Sequence, residues 1–450
     1  MADLDAIFKA YDVRGTTPDQ LDADAAEAIG AAFARFSSNQ EGGAHKVLIA
    51  RDMRSSGVEL AEAFARGVQG QGLDVVDLGM ASTDMVYFAS GRLDSPAVML
   101  TASHNPSQYN GMKMCLAGAK PVGADTGLAE IKAMAAEGLR DGPGARGERQ
   151  ALDLTREFAD HVRSFVDVDA LRPLKVVADT ANGMGGLVVP AVFDDLPFDL
   201  EVMYGELDGS FPNHPADPIN PANQVDLKAR VLETGADVGL AFDGDADRVF
   251  LVDDQGQPVS GSATTAIVAA GVLERSPGAT ILYNLICSKA VPEVVREHGG
   301  NPIRTRVGHS YIKATMAETG AAFGGEHSAH YYFRDNYRAD SGVIASLVVL
   351  EQLSKAGVPL SELRKPFDRY AASGEINFTV GDPPAVIEQV AAKYPLEAQD
   401  RLDGLTVDLG DWWFNLRASN TEPLLRLNLE AADQASCAAR VDEVRALIDG

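Results

Sequence analysis

One pattern, used three times in the first three-quarters of the chain, limits what it can fold into. An apolar run is followed by an amphipathic stretch and a second apolar run. A later apolar run then opens straight into a polar, glycine-containing loop. The first copy starts at HKVLIARD, passes through VELAEAFARGVQGQG and LDVVDLG, and reaches PAVML just before TASHNP. The second runs LKVVADTANG, GGLVVPAVFDDL, FDLEVMYGE and ADVGLAF into DGDADR, and the third ATILYNLICS, AVPEVVREHGG and NPIRTRVG to AAFGGEHSAH. Short β-branched runs alternating with amphipathic stretches mark βαβ units on a mixed or parallel sheet. Such sheets receive ligands beyond the carboxyl ends of their strands, so three equivalent loops predict one shared cleft.

From about Arg369 the pattern changes to strand, helix and strands (GEINFTVGD, PAVIEQVAAKY, LTVDLGDWWFNLRAS, LLRLNLEA), closing on the helical SCAARVDEVRALI. This predicts a small α+β domain with an antiparallel sheet. Breaks fall at the polar, glycine-rich stretch around Asp141, the turn DDQGQP at Asp254 and the Pro366 region. The expected fold is α/β in four domains: three similar βαβ-type mixed-sheet domains over 1–150, 151–255 and 256–368, and a C-terminal α+β domain over 369–450. A length of 450 residues suits two to four domains, and 46% apolar with 23% charged residues excludes extensive disorder.

The net charge of −26 has the wrong sign for nonspecific binding to nucleic acid or anionic membrane, so neither is an expected partner. A phosphate-bearing ligand needs a local basic cluster. Cys115, Cys287 and Cys437 are far apart and form no CxxC pair, which offers neither a disulfide framework nor a zinc site and suits a reducing compartment. The first residues carry acids without a basic region and apolar stretch, and apolar runs such as GVIASLVVL are too short to span a bilayer. A cytoplasmic location is expected.

Four loops carry candidate chemistry. In TASHNPSQYNGMK, Ser103 directly follows an apolar strand, with His104 and Lys113 as polar neighbours. A serine hydroxyl needs a base, a metal or a preformed phosphate to become reactive, and SHNP and YNG alone read as ordinary turns. In DGDADR, Asp243, Asp245 and Asp247 alternate in a tight turn, where they can converge on Mg²⁺ with Arg248 alongside. A solvated acidic turn and an aspartyl-nucleophile phosphatase are the competing readings. In GEHSAH, an extended backbone would point Glu326, Ser328 and His330 to one side, suited to sugar hydroxyls; His327 with His330 also suggests a metal site. In RASNTEPLLR, the Arg417 fork with Ser419, Asn420 and Thr421 can cup a phosphate, although the string also resembles a helix capping box. YDVRG adds Arg14, and VGHSYIK adds His309 and Lys313; with Lys113, Arg248, Lys289 and Arg417 these form the cationic set an anionic substrate needs.

Taken in order, YDVRG, TASHNPSQYNGMK, DGDADR, GEHSAH and RASNTEP resemble the α-D-phosphohexomutase superfamily, most closely its bacterial phosphomannomutase/phosphoglucomutase branch. The resemblance implies four domains around a central cleft, with Ser103 as a phosphoserine that donates and recovers a phosphoryl group. It implies Mg²⁺ held by Asp243, Asp245, Asp247 and the Ser103 phosphate. Arg14, Lys113 and Arg248 would stabilise the transferring group, and His309 would be an acid or base. Tyr11, Glu326, Ser328 and His330 would contact the sugar, and Arg417, Ser419, Asn420 and Thr421 the distal phosphate. The implied substrates are mannose and glucose 1- and 6-phosphates, with a hexose 1,6-bisphosphate as activator and a monomer or weak dimer as the assembly. Where some relatives carry a lysine, this chain has Ile286, with Lys289 three residues on as the candidate substitute. The glucosamine-phosphate branch tends to place Gln or Met at the position of His327. A phosphoglucosamine mutase, a Mg-dependent sugar phosphatase using Asp243 or Asp245 as nucleophile, and a noncatalytic sugar-phosphate binder remain as alternatives.

Overall fold

A computed structural model describes residues 3–139, 142, 144–418 and 424–449. The chain forms two compact units, Met1–Val259 with Ala329–Leu363, and Ser260–Ser328 with Arg364–Gly450. The threefold repeat is real at the level of strand pairing. In each copy the first strand lies between the second and the last, all parallel. These are Lys46–Arg51 between Asp74–Met80 and Ala97–Leu100, Lys175–Asp179 between Asp199–Met203 and Val238–Phe242, and Thr280–Asn284 between Asn301–Thr305 and Phe323–Gly325. Because pairing and direction are the same, the loop after the last strand leaves the same end of its sheet in every copy.

The first unit holds two mixed sheets. In one, Tyr109–Leu116 runs antiparallel between Val13–Thr16 and Ala97–Leu100, which brings Arg14 opposite Gly111 and Lys113 opposite Met99. Its core joins Val47, Ile49, Val75, Val98 and Leu100 to Phe33 and Phe64 of helices Ala23–Ser38 and Ser56–Gly70. The first of these helices starts where the Asp22 carboxylate accepts the Ala25 N–H at 2.8 Å, which satisfies one of the open donors of its first turn. In the other sheet, the turn at 254–257 reverses the chain between Val249–Asp253 and Pro258–Val259, so this sheet runs through Val259. The Asp253 carboxylate holds that turn by accepting the Gln255 and Gln257 N–H groups at 3.0 and 2.9 Å. A hairpin (Tyr331–Phe333 with Ala339–Asp340) and helix Gly342–Ala356 complete the unit.

The second unit contains the third repeat and a five-stranded antiparallel sheet ordered Ala371–Thr379, Leu424–Ala431, Trp412–Ala418, Leu405–Asp408 and Gln399–Asp400. The expected α+β arrangement is present. The run LTVDLGDWWFNLRAS is two strands rather than one, because Gly410 takes a φ of 87° and the chain reverses there, with the Leu409 N–H donating to the Trp412 carbonyl. Helix Gln434–Asp449 buries Cys437, Val441, Val444 and Ile448, a helical stripe that covers the sheet's Phe414, Leu416, Leu425 and Leu427. Phe414 has no exposed surface and its ring lies 5.3 Å from that of Tyr394 and 5.8 Å from that of Trp412. Phe414→Ala is expected to destabilise this domain by about 3–5 kcal/mol, read from the midpoint of its urea unfolding transition. Among the described residues no helix is long and apolar enough to cross a membrane.

Candidate active site

Two of the repeat loops meet in the first unit. Ser103 follows the buried strand Ala97–Leu100 and sits in the left-handed region at φ 49°, a conformation that costs energy for a residue with a side chain. Its hydroxyl donates to Asp243 Oδ2 at 2.7 Å. The two loops approach closely enough that a Cβ on Gly244 would lie 2.4 Å from the Ser103 carbonyl oxygen, so only glycine fits between the first two aspartates. The left-handed φ of 61° at Ala246 continues the bend, and Asp243, Asp245 and Asp247 are all buried.

Two cations are set into this cluster. Lys113 Nζ donates to Asp245 Oδ2 and Asp247 Oδ2, each at 2.7 Å. The Arg248 guanidinium donates to Asp243 Oδ2 from Nε at 3.0 Å and from a terminal nitrogen at 2.9 Å, and that same nitrogen reaches Ser103 Oγ at 3.2 Å. Burial works against the Lys113 charge, but the facing Asp245 and Asp247 hold its ammonium well above the usual lysine range. Burial pushes the Asp243 carboxyl up to about 7, with Asp247 and Asp245 adding to the rise and Arg248 opposing it. Asp245 is held far below the ordinary carboxylate range: burial is outweighed by Lys113 and by the Thr83 hydroxyl, which donates at 2.6 Å. His104 Nδ1 faces an Arg248 N–H at 2.5 Å, and burial together with Arg248 and Arg14 drives this imidazole down to about 2. His104 is therefore neutral, and the nitrogen nearest Ser103 already accepts a hydrogen bond.

The residues fit a divalent cation. The carboxylates of Asp243, Asp245 and Asp247 place one ligand oxygen each within 4.8 Å of one another. Asp245 Oδ1 and Asp247 Oδ1 are buried and, among the described residues, have no hydrogen-bond partner. Two unsatisfied buried carboxylate oxygens in a set of hard ligands suit Mg²⁺. Arg14 stands at the edge of this cluster, donating to Asn105 Oδ1 at 2.5 Å and paired with Asp12, while Tyr11 lies two residues before its strand.

Residues 5–140 match the phosphoglucomutase/phosphomannomutase alpha/beta/alpha domain I, 156–256 domain II, 260–370 domain III and 375–447 the C-terminal domain of the same family. The chain belongs to the phosphoglucomutase/phosphomannomutase family. It is 39% identical to a phosphomannomutase of Salmonella montevideo over 98% of both chains, and 39% identical to a protein named for phosphohexose mutases in Xanthomonas campestris over 98% of this chain and 99% of that one. A crystal structure of a family member from Burkholderia thailandensis superposes with a TM-score of 0.89 at 33% identity, covering 100% of this chain and 98% of that one. A similar fold, at 13% identity and a TM-score of 0.65, is seen in an Aspergillus fumigatus N-acetylphosphoglucosamine mutase solved with GlcNAc-6P and magnesium, covering 98% of this chain and 95% of that one.

In this phosphohexomutase the GEHSAH stretch departs from the extended run expected of it. Residues 327–329 form a turn with Ala329 at φ 65°, so the alternation that would align Glu326, Ser328 and His330 on one side is broken. His330 belongs to the unit of the metal loop, where its backbone bridges Arg248 and its Nδ1 lies 2.8 Å from Asp340 Oδ2. Asp247, His330 and Asp340 form a second cluster of ligand-bearing groups; among the described residues His327 belongs to neither cluster. Glu326 and Ser328 belong to the other unit. There Glu326 is buried, and its Oε1 accepts the Gly308 N–H at 3.1 Å and an Asn284 N–H at 3.2 Å.

The second unit also holds the arginine of the phosphate loop. Arg417 is buried at the end of its strand and donates to Glu375 at 2.8 Å; among the described residues its Nε has no hydrogen-bond partner. Arg426 faces it across the hairpin and reaches Glu375 at 3.5 Å. Ser419, Asn420 and Thr421 lie outside the described residues, as does the side chain of His309, the first residue of helix His309–Thr319. Lys289 is already committed: its ammonium donates to Asp408 at 2.6 Å and to the Gly410 carbonyl at 2.9 Å, while Ile286 is buried. The motif strings did not single out Arg54, Thr83, Asp340 or Arg426. Only Arg426 sat inside a quoted motif; the others owe their place to contacts distant in sequence.

Proposed function

We propose that this chain is a phosphomannomutase, with phosphoglucomutase activity beside it, interconverting hexose 6-phosphates and hexose 1-phosphates through phosphorylated Ser103 and a hexose 1,6-bisphosphate. The observation that carries this reading is the Ser103 hydroxyl 2.7 Å from Asp243 Oδ2, flanked by the buried Arg248 and the partly buried Lys113. Phosphoryl transfer asks mainly for positioning and for neutralisation of the phosphoryl oxygens. Mg²⁺ at Asp243, Asp245 and Asp247 would offset the charge of a phosphate carried by Ser103. The names of the curated relatives support the reaction class.

The first half-reaction breaks the bond between phosphorus and Ser103 Oγ and forms one to a sugar oxygen; the second breaks the other phosphate's bond to its sugar oxygen, which takes the proton back, and re-forms the bond to Ser103 Oγ. Arg248, 3.2 Å from Oγ, stabilises the electron pair left on the serine. The sugar hydroxyl must lose a proton, and His330 is the group we assign to take it, in place of His309. Its Nδ1–H donates to Asp340, which fixes the tautomer and leaves Nε2 for the proton. The bisphosphate then turns and returns its other phosphate to Ser103, with Arg417 and Arg426 gripping the distal phosphate and Glu326 and Ser328 the sugar hydroxyls.

Burial lowers the His330 pKa, but its hydrogen bond and charge interaction with Asp340, and the nearby Asp247, raise it above the usual histidine value. A base of this kind is inactive when protonated, so kcat/KM is expected to rise with pH through a pKa above about 6.5. His330→Gln should remove that limb, and Asp340→Asn should move it to lower pH; an unchanged profile in both assigns the proton elsewhere. The deciding experiment for the reaction is phosphopeptide mapping of the purified protein, followed by exchange of the label with mannose 1-phosphate, glucose 1-phosphate and glucosamine 1-phosphate. Label on Ser103 that exchanges with the first two supports this reading; exchange with glucosamine 1-phosphate alone supports the phosphoglucosamine mutase; no exchange sinks the mutase.

A further inference from the structure

We infer that Arg54 is the positioning residue of the phosphoryl-transfer site, holding Ser103 in its reactive geometry by gathering the backbone carbonyls of the Ser103 loop on one guanidinium. This inference rests on the role proposed for Ser103. Arg54 is 1% exposed, among the largest fully buried side chains of the protein. All of its guanidinium N–H groups are used. Nε donates to Asp52 Oδ2 at 3.1 Å. One terminal nitrogen donates to the Pro106 and Tyr109 carbonyls at 2.8 and 3.0 Å, the other to the Ser103 and Asn105 carbonyls at 2.8 and 2.7 Å.

The loop explains why a guanidinium is needed. With Ser103 at φ 49°, the chain curls so that these four carbonyls turn towards one point, where their dipoles repel and little water reaches them. A planar fork with five donors satisfies all four and still keeps one N–H for the orienting Asp52; an ammonium has three donors at a single centre. The site is closed over Arg54 by the segment Leu207–Phe211. The Phe211 ring lies 5.0 Å from the guanidinium carbon, and a Cβ on Gly209 would come within 2.6 Å of the Arg54 Cα. Arg54 touches the Ser103 carbonyl, not Oγ, so it acts on the reaction through the direction in which Oγ is held relative to Asp243 and Arg248.

Arg54→Lys and Arg54→Gln separate positioning from stability. Arg54→Lys keeps a buried cation opposite Asp52, and both variants are checked by circular dichroism and urea unfolding, with rates expressed per folded molecule. Misplacement of a reacting group by about 1 Å costs on the order of 10²-fold, so kcat of Arg54→Lys is expected to fall by about 10². KM for mannose 1-phosphate should stay within about threefold, because uniform substrate binding is untouched. Transfer from glucose 1,6-bisphosphate to Ser103 should slow by the same factor as kcat. A folded Arg54→Lys with kcat within about threefold of the parent overturns the inference, as does a loss confined to KM. If neither Arg54 variant folds, Phe211→Leu decides: it removes the ring over the guanidinium and no hydrogen bond. A fall in kcat of about fivefold at constant KM is then expected on loss of that cation–π contact, and an unchanged kcat overturns the inference. An active parent enzyme with no phosphate on Ser103 would sink the mutase reading itself; a phosphorylated parent with a fully active Arg54→Lys sinks only the role of Arg54.

Discussion

Ser103→Ala is expected to lower kcat for mannose 1-phosphate conversion by at least about 10³-fold, since loss of a covalent nucleophile removes the reaction path rather than one contact. The fold should survive: Ser103 is already in the left-handed region, which alanine tolerates no worse, and the loop carbonyls keep their bonds to Arg54. Radiolabel from glucose 1,6-bisphosphate should disappear from the protein. The measurement discriminates among the alternatives. A phosphatase built on an aspartyl nucleophile would keep substantial turnover in Ser103→Ala and lose it on replacement of Asp243 or Asp245. A noncatalytic binder would bind sugar phosphate stoichiometrically in both proteins and convert none. Asp243 Oδ2 already receives three donors, from Ser103 and twice from Arg248, which ties up that oxygen as an attacking atom.

Asp245→Asn should give the second largest effect, a loss of about 10²–10³ in kcat, because the variant removes one ligand charge from a site built to neutralise the transferring phosphoryl group. The same change should remove the metal's contribution to stability. For the parent protein, Mg²⁺ at about 100 times its Kd adds about 2.7 kcal/mol, seen as a higher melting temperature that chelation abolishes. Asp245→Asn should show little of that shift. Among the described residues, Asp245 Oδ1 and Asp247 Oδ1 are the aspartate-loop oxygens that are buried without a hydrogen-bond partner, so they are where the ion's contribution should be lost. A full Mg²⁺-dependent shift in Asp245→Asn would remove these aspartates from the metal site.

How far the site could be read in advance varies from residue to residue. Ser103 and Asp243 each directly follow a buried strand of the repeat, and parallel pairing with a common partner order puts both loops at equivalent strand ends. Lys113 is legible because it stands inside the string TASHNPSQYNGMK; that its strand returns antiparallel beside Ala97–Leu100 is decided by the fold. The alternation of Glu326, Ser328 and His330 misled because spacing of two means one face only in an extended chain, and Ala329 is left-handed. Asp340, ten residues beyond His330, carries no motif at all; its role comes from a hairpin that folds it back onto the imidazole.

Local order sufficed for the repeat, the antiparallel C-terminal sheet and the loops that hold serine, aspartates and arginines, because hydrophobic periodicity and turn chemistry are properties of neighbouring residues. Contacts between distant segments decided the rest. Arg54 meets carbonyls some fifty residues away, Thr83 and Lys113 meet Asp245 more than a hundred residues on, and His330 joins the metal-loop unit while Glu326 stays in the other. Such partners are chosen by packing and by the need to satisfy buried charge, and neither quantity exists until the chain has closed around them.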